Sequence, residues 1–300
     1  MSVEAFKIID PEPKLKNTCA IAMLRPWIDV GRVGTLVLKR LERHLGAKEL
    51  GRLTRPGTFF DFTRYRPRTR LVDGCPVFTK PNSVINYAQD EENGRDYLFL
   101  HLREPHMQGE DYAEAIVSLL ERFDINQYFR IGGMYDTVPH TRSLLVTGSL
   151  PEDQAQQANG LVSPNRSTYQ GPTSIVNLVS ENLSQSNIIT TSLMAHLPQY
   201  VKLDEDHMGA SRLMEVLCAI YDFPKSLADP TRGQQQYMDI SRAVEANPEV
   251  KKMIDQLETY YDRVLVGSEL KDEIPLAPDV EKFLTEVGKR LENEQESNDA

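Results

Sequence analysis

Apolar positions along the chain fall into two alternating textures. Compact runs of strand length, led by Thr18 to Leu24 (TCAIAML) and Tyr97 to Leu102 (YLFLHL), read as strands buried on both faces. Other segments repeat their apolar residues every three or four positions. Val33, Val37, Leu41 and Leu45, flanked by Leu38, predict a helix from Val33 to Leu45, with Gly46 as its stop. Tyr112, Ala115, Ile116, Leu119, Leu120 and Phe123 predict another, and Ser174 to Leu183 and Met208 to Leu217 carry the same stripe. Shorter strands are expected at Ser83 to Ala88, at Tyr128 to Ile131 (stopping at Gly132-Gly133), at Leu144 to Val146 and at Asn187 to Leu197. Leu71 to Val77 should turn back on itself at Asp73-Gly74 as a hairpin. Around Pro56-Gly57 there are only apolar pieces, Leu53 and Phe59-Phe60, with no strand assigned. Alternating strands and helices predict an α/β fold, with helices on both faces of a parallel or mixed sheet.

The same pattern divides the chain. Residues 1–17 are polar, carry Pro11 and Pro13, and read as a leader laid on the surface. Residues 18–224 form the α/β core domain, closed by the Phe223-Pro224 boundary. Residues 225–291 lack strand texture and read as a helical extension. Two of its helices lie within Gln234 to Tyr261, broken near Asn247-Pro248, where proline suits a first turn. A further amphipathic piece spans Val280 to Leu291, and residues 292–300 read as a disordered acidic tail.

Composition then narrows the function class. A chain of 300 residues with 40% hydrophobic content supports a substantial core. Its formal charge of -10 argues against a nucleic-acid partner, which would require a basic face. Three cysteines, Cys19, Cys75 and Cys218, are far apart and lack metal spacing, as expected of isolated thiols in a reducing cytoplasm. The first residues lack a basic region leading into an apolar stretch, and no run reaches eighteen apolar residues, so neither secretion nor a membrane span is expected. No cofactor or metal set is expected either, since no two histidines sit at helical ligand spacing and no Gly-x-Ser-x-Gly elbow is present.

Two loops carry candidate chemistry. After the first strand comes WIDVGRVG, Trp27 to Gly34, a glycine-bearing turn into a helix. Free N–H groups there can hold an anion, with Trp27, Asp29 and Gly31 as ligand residues, or Asp29 can cap the helix itself. The second loop gathers Asp136, His140 and Arg142 around Pro139. These residues can form a ligand site, or Asp136 can hold loop N–H groups while Arg142 pairs with a carboxylate. Both loops follow strands, and open α/β sheets bind ligands outside strand carboxyl ends. Arg64, Arg66, Arg68 and Arg70 alternate along an expected extended piece, fit either to bind an acidic protein segment or to guard a solvated sheet edge. His196 and His207 are expected to cap backbone carbonyls.

Taken together, WIDVGRVG at 27–34, FFDFTRYRP at 59–67, FLHLREP at 99–105, GGMYDTVPHTR at 132–142 and LMAHLPQYV at 193–201 resemble the proteasome assembly chaperone 2 family. LETYYD at 257–262 is similar to the final helix of bacterial members. The resemblance implies a three-layer α/β/α sandwich of phosphorylase/hydrolase type with a small C-terminal helical extension. It implies a non-enzymatic protein-binding or complex-assembly factor that forms a homo-oligomer, and it brings no catalytic residues. The acidic end at 292–300 differs from the hydrophobic-Tyr-x end with which relatives dock on proteasome rings. The alternative is an enzyme or sensor on the same fold, taking a nucleoside-like or anionic small molecule.

Overall fold

The computed structural model describes residues 5–164, 171–186 and 188–264. In chain order the strands are β1 (Phe6–Ile8), β2 (Thr18–Arg25), β3 (Lys48–Leu53), β4 (Arg68–Val72), β5 (Cys75–Thr79), β6 (Val84–Ala88), β7 (Tyr97–Arg103), β8 (Ile125–Asp136), β9 (Val146–Ser149), β10 (Ser163–Pro164) and β11 (Ile189–Pro198). The helices are α1 (Val33–His44), α2 (Gly109–Arg122), α3 (Glu152–Ala158), α4 (Ile175–Leu183), α5 (His207–Tyr221), α6 (Thr231–Glu245) and α7 (Pro248–Val264).

Nine strands form one sheet in the order β1-β3-β6-β7-β2-β8-β11-β9-β10. Its centre, β7-β2-β8-β11, is parallel, while β1, β3, β6 and β9 each join an antiparallel pair. Parallel strands need crossovers, and the helices supply them, so the central strands are covered on both faces. The sequence of β2 accordingly has no polar alternation, and all its residues but Arg25 are buried. On one face Ile21, Met23, Phe129, Ile131 and Leu193 pack against α1 and α5. On the other, Ala20, Ala22, Leu98, Leu100 and Tyr128 pack against α2 and α4. The small alanines of β2 leave room there for the buried ring of Tyr112 from α2.

The structure departs from the sequence reading at several elements, among them β9, which runs from Val146 to Ser149 and not from Leu144 to Val146. Phe6–Ile8, within the expected surface leader, pairs antiparallel with Leu53–Gly51, and Phe6 is buried. Lys48–Leu53 is itself a strand, although KELGRL shows no clean period; partners on both sides supply what its pattern lacks. β8 does not stop at Gly132-Gly133 but runs through them to Asp136, because the Trp27 turn lies against those glycines. A Cβ on Gly132 would sit 2.3 Å from the Ile28 carbonyl oxygen. The four arginines do not share one extended piece. Arg64 sits in a turn closed by the Asp61 carboxylate, which accepts the Thr63 N–H and hydroxyl, and only Arg68 and Arg70 lie on β4. Val280 to Leu291, the acidic tail and Asn187 lie outside the described residues. Among the described residues no helix is long and apolar enough to cross a membrane.

Candidate functional site

Both candidate loops lie at the carboxyl end of the parallel strands. The first follows β2 directly, and the second follows β8, its neighbour. Asp29 bridges Gly133 of β8, and the Gly133 N–H donates to the Ile28 carbonyl at 2.9 Å. Trp27 stands out from this turn, 58% exposed.

Asp29 is buried and acts on the backbone. Its Oδ1 accepts the Thr35 N–H at 3.0 Å and its Oδ2 the Thr35 hydroxyl at 2.5 Å, so a carboxylate occupies the anion position at the start of α1. Burial pushes the Asp29 carboxyl up from its usual range, against the Thr35 donors and Arg25 that favour its ionised form. Gly31 takes a φ of +56°, and its carbonyl receives the Asp206 N–H at 2.7 Å. A Cβ there would meet the Asp206 Cβ at 2.7 Å, so the start of α5 closes this turn.

In the second loop, Asp136, His140 and Arg142 point to three different partners. Asp136 Oδ2 lies 2.7 Å from His196 Nδ1, and the opposite ring nitrogen of His196 lies 2.8 Å from the Thr147 hydroxyl. This carboxylate–imidazole–hydroxyl row crosses β8, β11 and β9. Burial alone would raise the Asp136 carboxyl, but the His196 ring and the Thr137 N–H outweigh it and hold it below the usual range. With Asp136 ionised, His196 Nδ1 donates to it, and the ring is fixed on its other side by the Thr147 hydroxyl.

His140 is buried under α6. Tyr200 Oη accepts the His140 backbone N–H at 2.7 Å and lies 2.8 Å from His140 Nδ1, so its hydroxyl hydrogen goes to that nitrogen. Nε2 then donates to Ser241 Oγ at 3.1 Å, and Ser241 donates to the Tyr237 carbonyl. Every step of this chain suits the neutral ring, and burial depresses the His140 pKa below 6.5. Arg142 makes a two-pronged pair with Asp262 at 3.0 and 2.8 Å and a further contact with Glu258, both on α7. Thr141 also binds Glu258, and the Tyr261 hydroxyl donates to the Ser143 carbonyl. The loop therefore fastens the C-terminal helices. It connects to the Gly31 turn through Asp206, whose Oδ2 accepts the Tyr237 hydroxyl at 2.9 Å while the Tyr237 ring lies 6.3 Å from that of His140.

The depressed histidine gives a signed pH dependence. A His whose folded pKa lies below its unfolded value contributes stability that is fully present above the unfolded value and lost as pH falls through the folded one. Acidification below about pH 6.5 should therefore weaken the α6 attachment, read as lower amide protection factors in α6, with each rate taken relative to the intrinsic rate at that pH. In His140→Gln that pH dependence should flatten.

His196 and Thr147 had no signal as a pair in the sequence, because their meeting depends on antiparallel register between β11 and β9. His196 and His207 do not cap carbonyls: His196 joins the row above, and His207 Nε2 lies 3.6 Å from Glu205. His101 pairs with Glu42 at 2.7 Å, and His106 accepts the Asp61 N–H. Among the described residues no group of three His, Cys, Asp or Glu side chains is arranged to hold a metal.

The third candidate region is the β4–β5 hairpin. Asp73 and Gly74 both take positive φ, +51° and +78°, which matches the twist of a two-residue hairpin. All ten strand residues are exposed, with Leu71 at 75% and Phe78 at 71%. Register places Leu71 opposite Pro76 and Thr69 opposite Phe78, so one face of the arm is apolar. The opposite face carries Arg68 and Arg70 with Val72 and Val77.

Fold and site together define a mixed α/β protein with a largely parallel sheet, fastened C-terminal helices and a projecting amphipathic arm. The chain belongs to the PAC2 family, whose model matches residues 23–236. Among solved structures it is similar to a protein of unknown function from Corynebacterium glutamicum, with a TM-score of 0.78 at 17% identity, covering 89% of this chain and 100% of that one. It is also similar to a PAC2 family protein from Streptomyces avermitilis, with a TM-score of 0.68 at 21% identity over 78% and 98% of the two chains. A proteasome-assembly chaperone homologue from Mycobacterium tuberculosis gives the same TM-score of 0.68, identity of 21% and coverages of 78% and 98%. No curated protein matches the sequence.

Proposed function

We propose that the protein is a non-enzymatic protein-binding or complex-assembly factor that works as a homo-oligomer and uses the β4–β5 arm, with Arg64, Arg66 and Arg68 at its base, as a contact surface. One observation carries this reading: the apolar face of Leu71, Pro76 and Phe78 stands in solvent. A lone two-stranded hairpin is marginal in water, and an exposed apolar face backed by arginines on the opposite face has the composition of an interface. Family membership, and a neighbour described as a proteasome-assembly chaperone homologue, support the same class. Helices on both faces of the sheet support reading the fold more finely as a phosphorylase/hydrolase-type α/β/α sandwich, with residues 18–224 as core and 225–291 as extension. That fold is compatible with a cytoplasmic protein.

A second reading is favoured by the Asp136–His196–Thr147 row and the exposed Trp27, both at the carboxyl end of the parallel strands. There the carboxyl end of the sheet would take a nucleoside-like or anionic small molecule, touched by Trp27, Asp136 and the loop bearing His140 and Arg142.

Native mass spectrometry separates the two. The wild-type chain should appear as a bare oligomer or in a complex with another protein. Leu71→Asp with Phe78→Asp should dissociate it while leaving the circular dichroism unchanged. A monomeric wild-type chain carrying a retained small molecule would overturn the assembly reading and favour the second.

A further inference from the structure

At the end of α1, where it meets the segment between α5 and α6, Arg40, Arg43, His44 and Arg232 line an open cavity of about 340 Å³ with Ser226, Leu227 and Asp229. We propose that this cavity is a binding site for a phosphate-bearing small molecule, held by the three guanidinium groups.

The chain carries a formal charge of -10, yet three arginines gather here around a single carboxylate. That carboxylate is already engaged, since Asp229 Oδ1 accepts the Thr231 N–H at 3.0 Å and its hydroxyl at 2.6 Å. Among the described residues none of the three arginines has a carboxylate within ion-pair distance, although Arg32, Arg52, Arg122, Arg142, Arg212 and Arg242 all do.

Placement sharpens the point. Arg40 is half-buried, and its Nη1 donates to Ser211 Oγ at 3.2 Å and to the Leu227 carbonyl at 3.3 Å, both neutral acceptors. Ser211 is in turn fixed by its bond to the Asp229 carbonyl at 2.9 Å. The guanidinium is thus held in place by neutral acceptors, with Asp229 favouring its charge only from beyond ion-pair distance, and burial depresses its pKa. Arg232 lies in the first turn of α6, the positive end of that helix, where a cation is disfavoured. Arg43 and His44 sit in the last turn of α1, where a helix dipole favours them, so dipole compensation accounts for those two and not for Arg40 or Arg232. The positive field reaches His207, whose pKa is lowered by burial first and by Arg232 and Arg40 next. An anion in the cavity would relieve each of these unfavourable placements.

Arginine forks match phosphate oxygens in pairs, and cavities of this volume stand at the small end of ligand sites. No tryptophan, tyrosine or phenylalanine lines the cavity to stack a base, so recognition falls on the phosphate and not on an attached ring.

The test is calorimetric titration of the full chain with pyrophosphate and with inorganic phosphate, at constant ionic strength set by chloride. Saturable binding is expected. Arg43→Gln combined with Arg232→Gln, both at exposed positions, should weaken it by about ten-fold or more, since each removes a charge-assisted contact. Lys251→Gln combined with Lys252→Gln, at exposed positions of α7 beyond the opposite end of α6 from Arg232, changes the net charge equally and should leave it unaltered. Absence of saturable heat with either anion, or equal loss in both double variants, would overturn the proposal. None of these outcomes depends on the hairpin arm.

Discussion

A chain lacking Gln234 to Ala300 should aggregate or bind a hydrophobic dye strongly at temperatures where the full chain stays soluble. The reason is what α6 and α7 cover. Tyr237 is buried in the main core with α1 and α5, and Ile254, Leu257 and Tyr261 are buried along α7. Each buried side chain of this size is worth about 1.5–3 kcal/mol. Four together are comparable with the roughly 5–15 kcal/mol that holds a whole domain. Polar losses add to the apolar ones. Buried Asp206 would keep the Gly209 N–H at 2.8 Å and lose the Tyr237 hydroxyl, while His140 would lose Ser241 and Arg142 its carboxylates. Tyr237→Ala alone should lower the melting temperature clearly, and Arg142→Ala much less, because its ion pairs face solvent. A truncated chain as soluble and as cooperative on melting as the full one would mean that α6 and α7 are an independent arm.

Gly132→Val should be nearly as damaging, from a single methine and two methyls. A Cβ there would lie 2.3 Å from the Ile28 carbonyl oxygen and 3.3 Å from both the Ile28 Cβ and the Met194 sulfur. Neither the strand nor the turn can yield without breaking the Gly133-to-Ile28 hydrogen bond. Overpacking of this kind costs about 1–3 kcal/mol even where side chains can move, and here the obstacle is backbone. Because Trp27 is the only tryptophan, its fluorescence reports the turn directly. The variant should shift the emission and lower the melting temperature together. Unchanged emission would show that the turn does not rest on this glycine.

Much of this architecture is legible in the sequence, and the reason lies in how each segment is covered. Thr18 to Leu24 and Tyr97 to Leu102 are buried on both faces, so their composition alone identifies them. The helical stripes of α1, α2 and α5 face a sheet on one side and show it in their period. The Asp73-Gly74 hairpin was legible because its turn chemistry is local. By contrast, β1 is three residues long and β3 mixes charges with a glycine; both exist because neighbours far along the chain pair with them. The glycines at Gly132-Gly133 signalled a close backbone approach, which is present, but not a strand end. In the candidate site, sequence indicated the helix-capping role open to Asp29 and the carboxylate pairing open to Arg142. It could not indicate that the carboxylates belong to α7, 120 residues away in the case of Asp262. Nor could it bring His196 to Thr147, or Arg232 to Arg40, since only tertiary register and helix packing do so.

The central position of β2 has a consequence for synthesis on the ribosome. Its parallel partners begin at Tyr97 and Ile125, and the register joins Thr18 to Ile125. At translation rates of about 5–20 residues per second, an apolar strand made early waits roughly 5–20 s for the second of them. During most of that interval only α1 is available to shield one of its faces, because β7 and α2 follow only from Tyr97 onward. The nascent chain is thus most exposed to misassociation in its first half, and synonymous slowing of translation before Ile125 should lower the yield of folded protein more than slowing after Pro198.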